Sequence, residues 1–456
     1  MEKNEFKKFW KLGKKEFNTH HFDINNDGEL IIREGNYQYN VYDLARKFDA
    51  SIKIYLPFIV EERLSNLINV FNKNMKQIGY RGKYIYHFPM KVNQNKEFVL
   101  PLVAEGAHLE VTSANELWVV KKMWEGENFH SKIRVLCNGP KSAQYLKLIQ
   151  HLHDNNLTIT PVIETLDEAD LLKDFKGEVG IRLNMEVKVN SHWDKKIDRF
   201  GLLPDEILDL GKIRNLKILH YHLGSQIIED GGMIAALKEA FKTYIALRRL
   251  NPSLDTIDIG GGFAVPYQKK KLYGVEPVVK RIIKTLYDLS KKHGVPHPNI
   301  ITEWGQYIVA PSQLTVFKVI GSKNIVKGVA KKWYLIDGSF MNDLLDTWAI
   351  HQKWHVIPVN HLNYKKKERV WIGGLTCDSD DKYADADGYV TLPRLEDLQA
   401  GEDMYIAVLD TGAYQDGFAM HHCLLSSPAK IVLQNGLVTV ARKRESPEEI
   451  GKLFGW

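Results

Sequence analysis

The chain has 456 residues, 44% of them apolar and 26% charged, a globular composition that leaves room for a barrel-sized domain and a second one and argues against disorder. A net charge of +6 spread along the chain, with short lysine runs at 269–271 and 365–367 that read as solvated loops, argues against a nucleic-acid partner. The N-terminal sequence lacks the apolar core of a signal peptide, no run of about 18 apolar residues offers a membrane span, and Cys137, Cys377 and Cys423 lack the paired spacing of a disulfide framework or zinc site, so a reducing cytoplasm is the expected compartment.

In chain order, the stretch 37–42 predicts an N-terminal strand. Eight short apolar runs follow, at 84–89, 109–112, 133–137, 159–163, 179–183, 218–223, 256–259 and 300–303. Segments with helical spacing lie between most of them, such as 115–123, 142–152, 232–250 and 275–293. Strands alternating with helices make a parallel sheet, and eight such units predict a closed (β/α)8 barrel over 50–310, with an open doubly wound sheet as the alternative. From about 311 the rhythm changes. Apolar runs at 314–320, 333–336, 370–373, 404–409, 429–433 and 438–441 follow one another with turns, predicting a mostly antiparallel β domain over 311–456 that the N-terminal strand from 1–49 joins.

Barrel enzymes keep their reacting groups at the C-terminal ends of the strands. Lys91 follows the first predicted strand, His222 and Ser225 the sixth, Gly260-Gly261-Gly262 the seventh, and Glu303 closes the eighth. A lysine at a barrel mouth is partly desolvated, which favours the neutral amine that attacks an aldehyde. Three glycines in a turn let the backbone approach an anion and present N–H groups to it. A carboxylate at a buried strand end needs a partner, and a protonated pyridine nitrogen would serve. His222 could stack on a flat ring and Ser225 could donate to a phosphate. Each residue also has a plainer reading, as a surface lysine, a tight turn, a structural ion pair or a satisfied histidine. Their joint placement at strand ends is what favours a shared site.

In this order, Lys91, His222-Leu223-Gly224-Ser225, the glycine triplet and Glu303 resemble the fold-type III pyridoxal-phosphate decarboxylases, which join an alanine-racemase-like barrel to a C-terminal β domain. The stretches Met90-Lys91-Val92-Asn93-Gln94, Leu109-Glu110-Val111-Thr112-Ser113, Leu344-Leu345-Asp346-Thr347-Trp348, Leu375-Thr376-Cys377-Asp378-Ser379-Asp380 and Gly412-Ala413-Tyr414-Gln415 are similar to the biosynthetic arginine decarboxylase branch. The resemblance implies pyridoxal 5'-phosphate as cofactor, with Lys91 as its Schiff-base anchor and His222 stacked on the ring. It implies that Ser225, Gly262 and Tyr414 hold the phosphate and that Glu303 pairs with the ring nitrogen. It further implies a homodimer with shared active sites, in which Cys377 protonates the carbon that loses CO2 and Asp378 binds the far end of the substrate. A basic amino acid is the expected substrate, arginine first, because Asp343, Asp378, Asp380 and Asp381 fall in segments expected to line the distal pocket.

The sequence departs from the family at Glu303-Trp304-Gly305-Gln306, where the family has Glu-x-Gly-Arg. Gln306 can donate a hydrogen bond to phosphate but brings no charge. The chain is also shorter than the better-known bacterial arginine decarboxylases, which keeps ornithine, lysine and diaminopimelate open as substrates. Mg2+ is suggested by those longer relatives and not by any motif here. A non-catalytic regulator on the same fold is the competing class, and retention of Lys91, the glycines, Glu303 and Cys377 argues against it.

Overall fold

The computed structural model describes residues 6, 10, 21–126, 133–185, 187, 199–267 and 274–456, so the lysine run at 269–271 lies outside the described residues. Two compact units result: Glu61–Val265 with Leu272–Ile308, and Met1–Val60 with Pro266–Lys271 and Val309–Trp456.

The first unit is a closed barrel of eight parallel strands: β1 (Tyr84–Pro89), β2 (His108–Val111), β3 (Arg134–Cys137), β4 (Thr158–Ile163), β5 (Val179–Arg182), β6 (Leu216–His220), β7 (Thr256–Asp258) and β8 (Asn299–Thr302). Each overlaps one of the eight predicted runs. They were legible because barrel strands are covered on both faces and so read as nearly continuous apolar segments. The helices between them follow the usual rules. Val275–His293 buries Val278, Val279, Ile282, Ile283 and Leu286 along one stripe and ends at Gly294, whose left-handed conformation (φ 64°) returns N–H bonds to Ser290 and Lys291. Helix Ala143–Asp154 starts where the Ser142 side chain accepts the Tyr145 N–H.

Inside the barrel Leu136, Ile218 and Ile301 form an apolar plug, with Ile85 packed against it. Two residues farther along the same strands stand His87, Asn138, His220 and Glu303, all buried. The two-residue period of a strand keeps them on the plug's face, so the interior changes from apolar to polar toward the C-terminal ends.

The second unit holds a ten-stranded, mostly antiparallel sheet and a three-stranded one. Strand Ile52–Tyr55 lies between Gln313–Asn324, antiparallel to it, and Ala429–Gln434, parallel to it. The sequence reading assigned 52–55 to the barrel; with both edges paired and all four residues buried, the segment belongs to this sheet instead. The predicted strand at 37–42 stops at Asn40 and pairs with Leu30–Glu34 in the small sheet, not the large one. It stops because the Asn40 side chain accepts the N–H groups of Tyr42 and Asp43 and caps helix Val41–Phe48. Among the described residues no helix is long and apolar enough to cross a membrane.

A buried ion triad ties this unit together. Asp416 accepts from Lys53 at 3.0 Å and from Lys430 at 2.5 Å, and the three side chains are 6%, 0% and 2% exposed. Burial alone would raise the Asp416 pKa, but Lys430 and Lys53 outweigh it and hold the carboxyl well below the usual range. The stabilisation is therefore present above the ordinary carboxylate pKa and is lost only as pH falls through the depressed value. Asp416→Asn leaves two buried ammonium groups without their anion, and unfolding free energy is expected to drop by about 3–5 kcal/mol. Denaturant unfolding at neutral pH checks this, and a loss under about 1 kcal/mol would show that water reaches the lysines.

Candidate active site

Lys91 sits in a short turn, Met90–Val92, that follows β1. Its Nζ donates to Glu110 Oε2 at 3.0 Å; the lysine side chain is 40% exposed and the glutamate fully buried. Burial pushes the Glu110 carboxyl up to about 7, Lys91 opposes the shift, and Glu303 adds to it. Glu110 Oε1 finds no hydrogen-bond partner among the described residues.

Below Lys91 the polar floor is assembled from four strand ends. Asn138 Nδ2 donates to Glu303 Oε1 at 3.0 Å, and His220 Nε2 lies 3.8 Å from the same oxygen. Donor atoms of His220, Asp258 and Glu303 lie within 4.8 Å of one another, all buried. At that range two like charges repel by roughly 3–4 kcal/mol at an effective dielectric near 20, enough to keep one of the pair protonated around neutrality. Burial first, then Glu303, raises the Asp258 pKa well above the usual carboxylate range. Its Oδ1 accepts the Gly260 N–H at 2.9 Å, and its Oδ2 has no partner among the described residues.

The rim is formed by the loops after β6, β7 and β8. Gly260 and Gly262 have φ of 65° and 102°, and a Cβ on either would strike Tyr221 O or Gly224 O. The glycines are thus required first for the loop after β7 to lie on the loop after β6. Two of the triplet's N–H groups are also spent within the protein, Gly260 on Asp258 and Gly261 on His222 Nδ1 at 3.1 Å. That second bond makes Nδ1 the acceptor and fixes the imidazole plane. Ser225 Oγ donates to Gln306 Oε1 at 3.3 Å, which joins two predicted phosphate ligands.

The other predicted residues belong to the second unit. Cys377 Sγ lies 3.5 Å from Cys423 Sγ on the surface, and Asp378 Oδ2 lies 3.9 Å from His422 Nε2. The neighbouring thiol raises the Cys377 pKa. Asp381, expected to line a distal pocket, is buried and accepts the N–H groups of Phe340, Met341 and Thr376, so it braces the loop that carries Cys377. Asp343 is also buried, accepts the Ser339 N–H, and is pushed up to about 6 by burial. Tyr414 is half-buried with a left-handed backbone (φ 66°) and stacks on Phe418.

The sequence reading assigned no role to Glu110, Asn138, His220 or Asp258, although each sits at a C-terminal strand end. For His220 and Asp258 the signal was a polar residue one strand period before a predicted site residue, His222 and Gly260. The barrel residues fit pyridoxal phosphate: buried acids with orphaned oxygens face a mouth that would hold a cationic ring, and an accessible lysine stands at its edge.

Comparison with known proteins follows the same line. The family model "Pyridoxal-dependent decarboxylase, pyridoxal binding domain" matches residues 64–310. The biosynthetic arginine decarboxylase of Phocaeicola vulgatus is 23% identical, over 87% of this chain and 83% of that one. Among solved structures, the biosynthetic arginine decarboxylase of Campylobacter jejuni superposes with a TM-score of 0.83 at 19% identity, covering 97% of this chain and 92% of that one. The diaminopimelate decarboxylase of M. jannaschii, in complex with L-lysine, gives 0.80 at 23% identity, with 95% and 97% covered. Both structures share the fold.

The raised Glu110 carboxyl gives a test of this electrostatic picture. The folded state holds the proton to about pH 7 while the unfolded chain releases it near 4.5, so Glu110 costs stability increasingly as pH rises between those values. Glu110→Gln removes that cost. In the cofactor-free protein the variant should gain on the order of 2–3 kcal/mol relative to the parent on going from pH 5 to pH 8. A difference that stays flat with pH would show an ordinary carboxylate.

Proposed function

Because the chain belongs to the pyridoxal-dependent decarboxylase family, matched over more than half its length, we propose that it converts arginine to agmatine and CO2, a step of polyamine synthesis. It is a pyridoxal 5'-phosphate-dependent amino-acid decarboxylase. The observation that carries the arginine reading is the match to a biosynthetic arginine decarboxylase along 87% of the chain, which extends beyond the barrel. When bound, the cofactor supplies an electron sink for the pair left as the substrate carboxyl departs.

Lys91 is the anchor for the cofactor aldehyde, and Glu110 holds its Nζ toward the mouth. Glu303, steadied by Asn138, keeps the ring nitrogen protonated. An arginine there would leave that nitrogen bare and suit a racemase better, so the glutamate favours decarboxylation. His222, its plane set by Gly261, stacks on the ring. Ser225, Gly260, Gly261, Gly262, Gln306 and Tyr414 make up the phosphate grip. Since Gly260 and Gly261 already spend their N–H groups, the barrel's share of the grip rests mainly on Gly262, Ser225 and Gln306. Cys377 delivers the proton to the carbon that loses CO2, and Asp378 receives the guanidinium. On the family resemblance both act in the site of the partner subunit of a homodimer in the cytoplasm.

Lys91→Ala is expected to abolish both the visible cofactor band and turnover. Glu303→Gln should keep the band and lower kcat by about 10²-fold or more, because the electron sink weakens while binding persists. Release of CO2 from arginine, ornithine, lysine and diaminopimelate, measured side by side, tests the substrate. Arginine should be preferred by at least an order of magnitude, and turnover of diaminopimelate alone would sink the assignment.

A further inference from the structure

Two cysteines 46 residues apart in sequence meet at the surface of the second unit, and a histidine stands beside them. The ligand atoms of Cys377, His422 and Cys423 all lie within 4.8 Å of one another, and all three residues are exposed. The two sulfurs are 3.5 Å apart. Two thiolates on one tetrahedral zinc, with bonds of about 2.3 Å, stand about 3.8 Å apart, so the pair is within a few tenths of an ångström of that spacing. Asp378 Oδ2 lies 3.9 Å from His422 Nε2, beside the imidazole.

The mount is built rather than incidental. Cys423 and Leu424 both have left-handed backbones, with φ of 58° and 53°. That conformation is unfavourable for residues other than glycine, and here no burial of Cys423 or Leu424 repays it. The Asn342 amide holds the turn by donating to His422 O at 2.9 Å. On the other side, Asp378 accepts the Asp380 N–H and Thr376 Oγ1 accepts the Asp378 N–H, with Asp381 bracing the same loop from below. Both ligand-bearing turns are therefore held in place by side-chain hydrogen bonds.

We propose that Cys377, Cys423 and His422 form a binding site for a borderline-soft divalent cation of the zinc type, with water completing the shell. Binding exchanges two S–H bonds for two metal–sulfur bonds, and both thiol protons go to solvent. Thiolate and imidazole together select against Mg2+, which prefers oxygen ligands. A consequence rests on the function proposed above: with Cys377 held by the cation, its proton is unavailable to the product carbon, and the cation inhibits decarboxylation.

The experiment uses reduced, chelator-treated holoenzyme titrated with Co2+. Thiolate-bound tetrahedral cobalt has intense absorption toward the red end of the spectrum, clear of the cofactor band. The parent should develop it, saturate at one Co2+ per chain, and lose it on addition of Zn2+. Cys423→Ser and His422→Asn should each weaken Co2+ binding at least tenfold while releasing CO2 at the parental rate without metal. Zn2+ should inhibit the parent, and at least tenfold more Zn2+ should be needed with Cys423→Ser. No tetrahedral cobalt spectrum, or equal binding in both variants, overturns the site. So does quantitative pairing of Cys377 and Cys423 as a disulfide in protein whose reduced form binds no Co2+. If cobalt binds as expected but Zn2+ leaves turnover intact, the site stands and the proton-donor role of Cys377 falls.

Discussion

Glu110, Asp258 and Glu303 share the interior of one barrel with Lys91 at their edge, and most of what surrounds them answers to that crowding. Carboxylates this close in a medium of low polarity cannot all be charged. One solution is to hold protons more tightly: the Asp258 pKa is raised by burial and Glu303, and the Glu110 carboxyl is pushed up to about 7. The other is to receive a cation. A decarboxylase of this family needs its cofactor ring protonated, and a floor of crowded acids favours the proton on the ring over any neutral arrangement. The arrangement costs stability when the site has no cofactor, and binding a cationic ring relieves it. On the proposed reading, cofactor affinity and electron-withdrawing power come from the same unfavourable contact.

That floor exists because of the strand period. An apolar plug of Leu136, Ile218 and Ile301 closes the barrel beneath, and the next inward position on the same strands is polar. A carboxylate one strand period earlier, in place of Ile301, would lie against the plug itself. The glycine turn after β7 belongs to the same construction. With Cβ atoms on Gly260 and Gly262 it could not rest on the loop after β6, and the Gly261 N–H that orients His222 would be displaced.

The eight barrel strands were legible because burial on both faces writes them as apolar runs, and the glycines, Lys91 and Glu303 were legible because strand ends are where such residues stand out. Glu110, Asn138 and Asp258 were not, since a polar residue inside an apolar run looks like an interruption until neighbouring strands bring several together. Strand Ile52–Tyr55 was misassigned for a related reason. An apolar strand just before a barrel reads as part of its rhythm, and only pairing with Gln313–Asn324 and Ala429–Gln434 reveals its allegiance. The acidic segment after Cys377 reads as pocket lining, but backbone N–H groups already occupy Asp381.

Cys377 poses a problem that the barrel does not. A thiol that must hand a proton to a substrate cannot be buried, because its reach and its rehydration after each turnover require access. Exposure makes it a ligand for any thiophilic cation, and a second thiol at 3.5 Å with an imidazole beside it converts a weak monodentate contact into a chelate. If Cys377 served only as a proton donor, a serine or alanine in place of Cys423 would be the safer neighbour, since it would remove the chelate without touching the donor. Instead the backbone at Cys423 and Leu424 adopts an unfavourable conformation that brings the second sulfur in. Spending conformational energy to bring two thiols together is hard to reconcile with proton delivery alone, and it is what a site that must also respond to a cation requires.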